Sequence, residues 1–284
     1  MANNWPVLLF NKSVLKQTKF TRTADLLGST DGLCCLDIGS DNGVFSYLLR
    51  QRGGIWKSAD LDERSVAAIR ELVGTEVYRI DGGRTPFEEN EFDCVVIIDF
   101  LEHIPDDAGF MAEVNRILKP GGRLVLNAPN VKHGFLMKFR KAIGLTEEEH
   151  GHLRPGYTQE DVTHLLGDRF SLDTFTTHTK FFSKFIDTLM VFALSSMKKK
   201  KPEQRSGRGV LVTGKDLKEY KRLFRLYSLI YPIVWVFSQL DRLLIFNSGY
   251  MVIARASSNK TNGEEKVQAE RQIAEHIMEK GIAS

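Results

Sequence analysis

The 284-residue chain has little cysteine, proline or tryptophan, with three, eight and three residues respectively. Cys34 and Cys35 are adjacent and Cys94 stands apart, so there is no C-x-x-C pair. That excludes a disulfide framework and a cysteine zinc site. The apolar neighbours of all three suit buried free thiols in a reducing compartment. No window of about 18 uninterrupted apolar residues exists, so no spanning helix is expected. The opening MANNWPVLLFNKSVLK lacks a basic start, a long apolar stretch and a small-residue cleavage site, so a signal peptide is not expected. A cytoplasmic location follows as an expectation. Charge of one sign is also lacking. The net charge of +3 is too weak to argue for nucleic acid, and none is expected as a partner. No internal repeat is visible. What remains is a globular composition, 42% hydrophobic and 26% charged, which excludes a disordered or collagen-like chain.

Strand and helix patterns alternate from residue 33. Short apolar runs at 33–38, 55–61, 77–80, 92–99 and 123–128 read as buried strands. Helical patterns at 44–50, 65–73 and 107–118 separate them, the last stopped by Pro120-Gly121-Gly122. Later strands are expected at 170–179 and 249–256, with a helix at 158–166 capped by Thr158 and Asp161. A weaker amphipathic pattern covers 11–27. The alternation predicts an α/β fold: a Rossmann-like, doubly wound, mostly parallel seven-stranded sheet, with a helical insert before the last strand. Residues 1–180 and 248–256 would form that domain, 181–247 the insert, and 257–284 a polar tail.

The sharpest constellation is LDIGSDNGVF at 36–45, where a strand meets a glycine-containing turn and then a helix. Such a turn aims backbone N–H groups and a helix N-terminus at a ligand. Gly39 and Gly43 would let the backbone come close to it. Asp60 ends the second strand 21 residues after Gly39, where an acid can accept both hydroxyls of a ribose. The dinucleotide pattern G-x-G-x-x-G is not matched. Asp37 and Asp41 put negative charge where a pyrophosphate would sit, so a cationic group such as an amine or a sulfonium suits the turn better. Taken singly, Asp37 could instead satisfy turn amides, and Asp60 could cap the following helix.

At this point the chain resembles the class I S-adenosylmethionine-dependent methyltransferases. LDIGSDNG, ADLD, DGGRTPFEENEFDCVVIIDFLEHIPD, ILKPGGRLVLNAPN and EEEHGHLRPGYTQEDVTHLL match family segments in order, over residues 30–180 and the last strand. The resemblance implies S-adenosyl-L-methionine as cofactor. Asp37 and Gly39 would face its amino acid end, with Ser40 and Gly43 in the same turn. Asp60 and Leu61 would take the ribose, Asp81 and Gly82 the adenine, and Asp99 would lie near the transferring methyl. The family's usual central glycine is replaced by Asp41, which tolerates a positive φ better than most residues.

An oxygen nucleophile usually needs a base, and His103 and His152 lie where the resemblance puts the mouth of the site. His150 stands beside them, and Arg154 would share a substrate-side loop with His152. No third spaced ligand set is evident in EEEHGHLRPGY, so no metal is expected. In the insert, residues 198–225 hold eleven basic residues against three acids, a local excess of +8 that leaves the rest of the chain at −5. Aromatic-rich helical patterns flank it, with Pro232 expected to break or kink the second. The pattern fits either an interfacial helix on an anionic membrane or a lid packed on the sheet. The expected activity is methyl transfer to a small acceptor, a lipidic or lipid-linked one included, with oxygen favoured. The rival expectation is a non-catalytic cofactor-binding module tethered through the insert.

Overall fold

The computed structural model describes residues 5–144, 151–197, 217–244 and 248–261. His150, the Lys198–Lys201 run and most of the polar tail lie outside the described residues.

Alternating side chains decide the architecture. Strands β1 (Cys34–Ile38), β2 (Ile55–Asp60), β3 (Val77–Arg79), β4 (Phe92–Ile98), β5 (Leu118–Pro129), β6 (Phe170–His178) and β7 (Met251–Ser258) make one sheet of order β3-β2-β1-β4-β5-β7-β6. Pairing is parallel except where β7 runs antiparallel between β5 and β6. The strand order reverses between β1 and β4. Ligands of open α/β sheets bind at the carboxyl ends of such a pair.

Each face of the sheet has its own apolar layer, because successive strand residues point to opposite sides. Leu36, Ile38, Val95, Ile97, Leu124 and Leu126 face helices α5 (Asp107–Ile117) and α7 (Gln159–Leu166). Cys35, Cys94, Val96, Ile98 and Val125 face the other way. There they meet α1 (Trp5–Phe10), α2 (Val14–Leu27) and α3 (Val44–Arg50) through Phe10, Leu27, Phe45 and Leu49. Cys35 and Cys94 are fully buried free thiols on paired strands, and Cys34 is half-buried.

Local chemistry sets most boundaries. Helix α4 (Glu63–Val73) is capped by Asp62, which accepts from the amides of Arg64 and Ser65. The cap is therefore not Asp60. Thr158 and Asp161 form the expected capping box on α7. The amphipathic 11–27 pattern is α2, which begins after its cap Ser13, and the short helix α1 precedes it. Pro120-Gly121-Gly122 does not separate α5 from its strand. Leu118 already pairs with Phe92, and the next pair is Cys94 with Arg123, so the prolyl-glycyl turn is a bulge within β5.

The chain leaves the sheet at the carboxyl end of β6 and returns at the start of β7, the same edge as the β1 turn. Between them lie α8 (Phe181–Met197) and α9 (Leu217–Gln239). Asp241 accepts from the backbone N–H groups of Lys180 and Phe182 at 3.0 and 2.8 Å, tying the exit to the return. A carboxylate at the start of α8 also opposes the helix dipole. Pro232 does not end α9, which runs through it. Tyr231 holds Gln17 and Val234 is buried on either side of it, so packing overrides the lost backbone bond. Short helix α6 (Phe135–Ala142) is joined to α8 by Arg140, whose guanidinium donates to Thr188 Oγ1 at 3.0 Å.

Candidate active site

The β1 turn is built by close approaches that only glycine permits. Gly39 has φ +88°, and a Cβ there would lie 2.2 Å from the Ile98 carbonyl. Gly43 has φ +78°, and its Cβ would lie 2.7 Å from Ile69 Cα. The two glycines therefore bring the turn against β4 and α4. Their missing side chains face protein backbone, so the packing of the turn by itself requires glycine at both positions. Asp41, at φ 54°, takes the left-handed conformation that its side chain tolerates.

Asp37 is held within the fold by three side chains. Its carboxylate is 1% exposed and accepts from Ser46 Oγ at 2.5 Å and Ser58 Oγ at 2.7 Å, with Arg50 Nη1 at 3.4 Å. It ties β1 to α3 and β2, beneath the turn and away from its mouth. Burial pushes its carboxyl above the ordinary range, against the pull of Arg50 and both hydroxyls. Ser40 Oγ accepts from the Ser46 amide at 3.0 Å and so holds the start of α3.

Asp60 is fully buried at the carboxyl end of β2. It accepts from the Asp41 amide at 3.2 Å and the Leu61 amide at 2.7 Å, so its carboxylate lies along the glycine turn. Leu61 is half-buried beside it. Asp81 is exposed on the next turn and accepts from Gly83 N–H at 2.9 Å. A Cβ on Gly82 would lie 2.6 Å from Ile104, so this turn sits directly against the segment after β4. Asp37, Gly39, Ser40, Gly43, Asp60 and Leu61 thus gather around the first turn, and Asp81, Gly82 and Asp99 lie on two neighbouring turns.

Asp99 closes β4 with φ 45°. Its Oδ2 is paired with Lys19 from α2, and its Oδ1 is buried without a hydrogen-bond partner. Lys19 went unnoticed in the sequence, because an 80-residue separation carries no local signal. A nucleoside with a cationic amino acid tail fits this donor set: a buried acid at the ribose position, and an orphaned carboxylate oxygen where positive charge would lie.

A second group stands past Asp99. Glu102 is fully buried in the 3-10 turn Leu101–His103, and its acceptor atoms lie within 4.8 Å of those of His103 and His152. The two imidazoles meet edge to face, centroids 4.9 Å apart. His152 is brought there by its loop. Leu153 N–H donates to the Glu102 carbonyl at 2.8 Å. Arg154 grips the Ile104 and Pro105 carbonyls at 2.9 and 3.0 Å and pairs with Asp107. Arg154 is therefore a clamp for this loop. Burial and the charge of Asp99 push Glu102 up to about 8. His178, at the end of β6, was also missed. Asn127 donates to its Nε2 at 2.8 Å and Thr179 Oγ1 lies 3.0 Å from Nδ1; burial holds it neutral, with a pKa down at about 3.

Residues 36–126, which contain every turn just described except the His152 loop, match the family model "Methyltransferase domain". These residues are a class I S-adenosylmethionine-dependent methyltransferase domain. The methyltransferase domain is similar to the ubiquinone biosynthesis O-methyltransferase of Leptothrix cholodnii, 29% identical over 117 residues, 37% of this chain and 47% of that one. It is similar also to the demethylmenaquinone methyltransferase of Tropheryma whipplei, 29% identical over 118 residues, 40% and 49% of the two chains. The chain thus spans about half the length of these curated relatives. Among solved structures, the [4+2]-cyclase SpnF shares the fold with a TM-score of 0.55 and 14% identity, covering 87% of this chain and 83% of that one.

Proposed function

We propose that the chain is an S-adenosylmethionine-dependent methyltransferase that methylates a hydroxyl of a small, quinone-class acceptor carrying a lipid tail. The observation that carries this reading is Asp60: a fully buried carboxylate laid along the glycine turn at the sheet's switch point. When bound, the cofactor supplies an electrophilic methyl group. The chain's own residues bind and orient it. Asp60 and Leu61 take the ribose, Asp81 and Gly82 border the adenine, and Asp99 attracts the positive charge once Lys19 yields. Gly39, Ser40 and Gly43 shape the turn, and Asp37 fixes it from below. His103 and His152 stand beyond Asp99, where an acceptor hydroxyl needs a base. The names of the two relatives support the quinone class.

The lipid tail is supported by the insert, taken as residues 181–247. Helix α9 turns Val234 and Ser238 toward α2 and α8. It leaves Leu229, Ile233 and Val236 on its outer side, 76%, 55% and 55% exposed, with Trp235 and Phe237 beside them. Arg225 lies one turn before Leu229 and is exposed. An outward apolar stripe with basic residues near it suits shallow insertion at an anionic membrane surface. No helix among the described residues is long and apolar enough to cross a membrane.

Turnover tests the reading. Full-length protein incubated with methyl-labelled cofactor and a dihydroxylated prenyl quinol should yield a monomethyl ether by mass spectrometry. Absence of any labelled product from quinols, phenols and a lipid extract contradicts it and favours the tethered, non-catalytic module.

A further inference from the structure

Glu102 is given no part in the proposed cofactor site, and its surroundings do not satisfy it. It is fully buried, and apart from its own backbone amide no hydrogen-bond donor among the described residues reaches either oxygen. A carboxylate kept from water and from donors is unfavourable as an ion and correspondingly basic. The sequence around it, DFLEHIPD, gives no hint of this, because an acid in a turn is ordinarily solvated.

Two half-buried imidazoles, His103 and His152, each bring a ring nitrogen within 4.8 Å of a Glu102 oxygen. His103 Nδ1 lies 3.1 Å from the Gly151 carbonyl. A carbonyl only accepts, so Nδ1 carries the hydrogen and Nε2 keeps the lone pair in the neutral ring. Among the described residues, the other charged or titratable groups facing Glu102 are Asp99 from β4, Lys19 from α2, His152 from the loop before α7 and Tyr157 beyond it.

We propose that Glu102, reached through the His103–His152 pair, is the group that takes up the proton released by the acceptor hydroxyl. This rests on the O-methylation reading above. In the balanced step the acceptor O–H bond breaks and its oxygen bonds to the methyl carbon. The donor's sulfur–carbon bond breaks with its electron pair left on sulfur. The proton passes by way of an imidazole nitrogen to a Glu102 oxygen. A cation and a carboxylate are consumed and a thioether, an ether and a neutral acid remain, so no uncompensated charge is left in the site. No oxidant or further co-reactant is needed.

The first test reads no activity. Proton NMR titration of the imidazole C2–H signals, assigned with His103→Gln and His152→Gln, should show a step near pH 8 in at least one of the two signals, where the neighbouring Glu102 ionises, and Glu102→Gln should remove that step. The second reads turnover. Glu102→Gln should lower kcat about 100-fold or more while leaving the dissociation constant of S-adenosylhomocysteine within about threefold of wild type. Its rate should also lose the rise through pH 8, and an acidic nitrocatechol acceptor, already ionised, should restore most of the loss. Unchanged imidazole titrations together with a wild-type pH profile overturn the relay. So does a wild-type activity abolished by a chelator and restored by a divalent cation. If wild type transfers no methyl at all, the parent reading falls and the relay with it; if wild type turns over and Glu102→Gln matches it, only the relay falls.

Discussion

The glycine turn and the helical insert meet the same edge of the sheet by opposite physical means. Around the turn, polar side chains are buried and held: Asp37 by Ser46, Ser58 and Arg50, Asp60 by two backbone amides. In the insert, large apolar side chains are left in the open, from Leu229 to Phe237 on α9, with Leu189 and Phe192 on α8. Burying charge and exposing hydrocarbon are both unfavourable taken alone, so each marks a place where stability is given up for a task. The turn is held by hydrogen bonds of its own buried polar side chains. The insert presents an exposed apolar surface.

Four changes break or sharpen this contrast. The largest loss is expected from Gly39→Val. Its Cβ would enter the Ile98 carbonyl in a left-handed backbone, so destabilisation of roughly 3 kcal/mol or more is expected in urea unfolding. Asp37→Ala comes next, at roughly 3 kcal/mol, since it takes the acceptor from two buried hydroxyls, Ser46 and Ser58. Both should also abolish cofactor binding by loosening the turn.

Third, pH should act through two buried groups in opposite directions. His178 has a folded pKa of about 3, below its ordinary 6.5, so the native state binds fewer protons and stability falls as pH drops through that interval. Glu102 has a folded pKa of about 8, above its ordinary 4.5, so the native state binds more protons and stability falls as pH rises toward 8. Between about 4.5 and 6.5 the two slopes oppose each other, and a plateau in melting temperature is expected there. Glu102→Gln should remove the decline above 6.5 and leave the acid limb intact; identical melting curves for variant and wild type from pH 6.5 to 9 would refute the assignment.

The smallest effect on folding belongs to the insert. Leu229→Ser with Ile233→Ser should change stability by less than about 0.5 kcal/mol, because these side chains are already exposed. The same pair should abolish co-sedimentation with anionic vesicles. Neutralising Lys198–Lys201 should weaken it and make it less sensitive to salt. Wild-type protein that stays in the supernatant at low salt would make the insert a lid.

What could be read from the sequence divides along the same line. The seven strands and the glycine turn are legible because period-two alternation, glycine punctuation and capping residues are local signals. Asp41 in the left-handed region follows from its side chain alone. The long-range contacts carry no such signal. Lys19 reaches Asp99 across 80 residues, and Arg154 turns back to the Ile104 and Pro105 carbonyls. Asp37 is chosen by the serines it meets, which only the fold brings together. The outward stripe of α9 is hidden for a further reason: periodicity tells that a helix has two faces, and tertiary packing decides which one looks out.

The central claim is that the buried acid at the end of β2 holds the sugar of a cationic nucleoside cofactor. Calorimetric titration of the full chain with S-adenosylmethionine and with S-adenosylhomocysteine tests it most directly, with Asp60→Ala and Asp60→Asn titrated alongside and their melting temperatures recorded. The account predicts saturable one-site binding of both ligands by wild type, and a loss of at least about 50-fold in each variant that remains folded. Wild-type protein that takes up neither ligand, or folded variants that bind both as well as wild type, would contradict it.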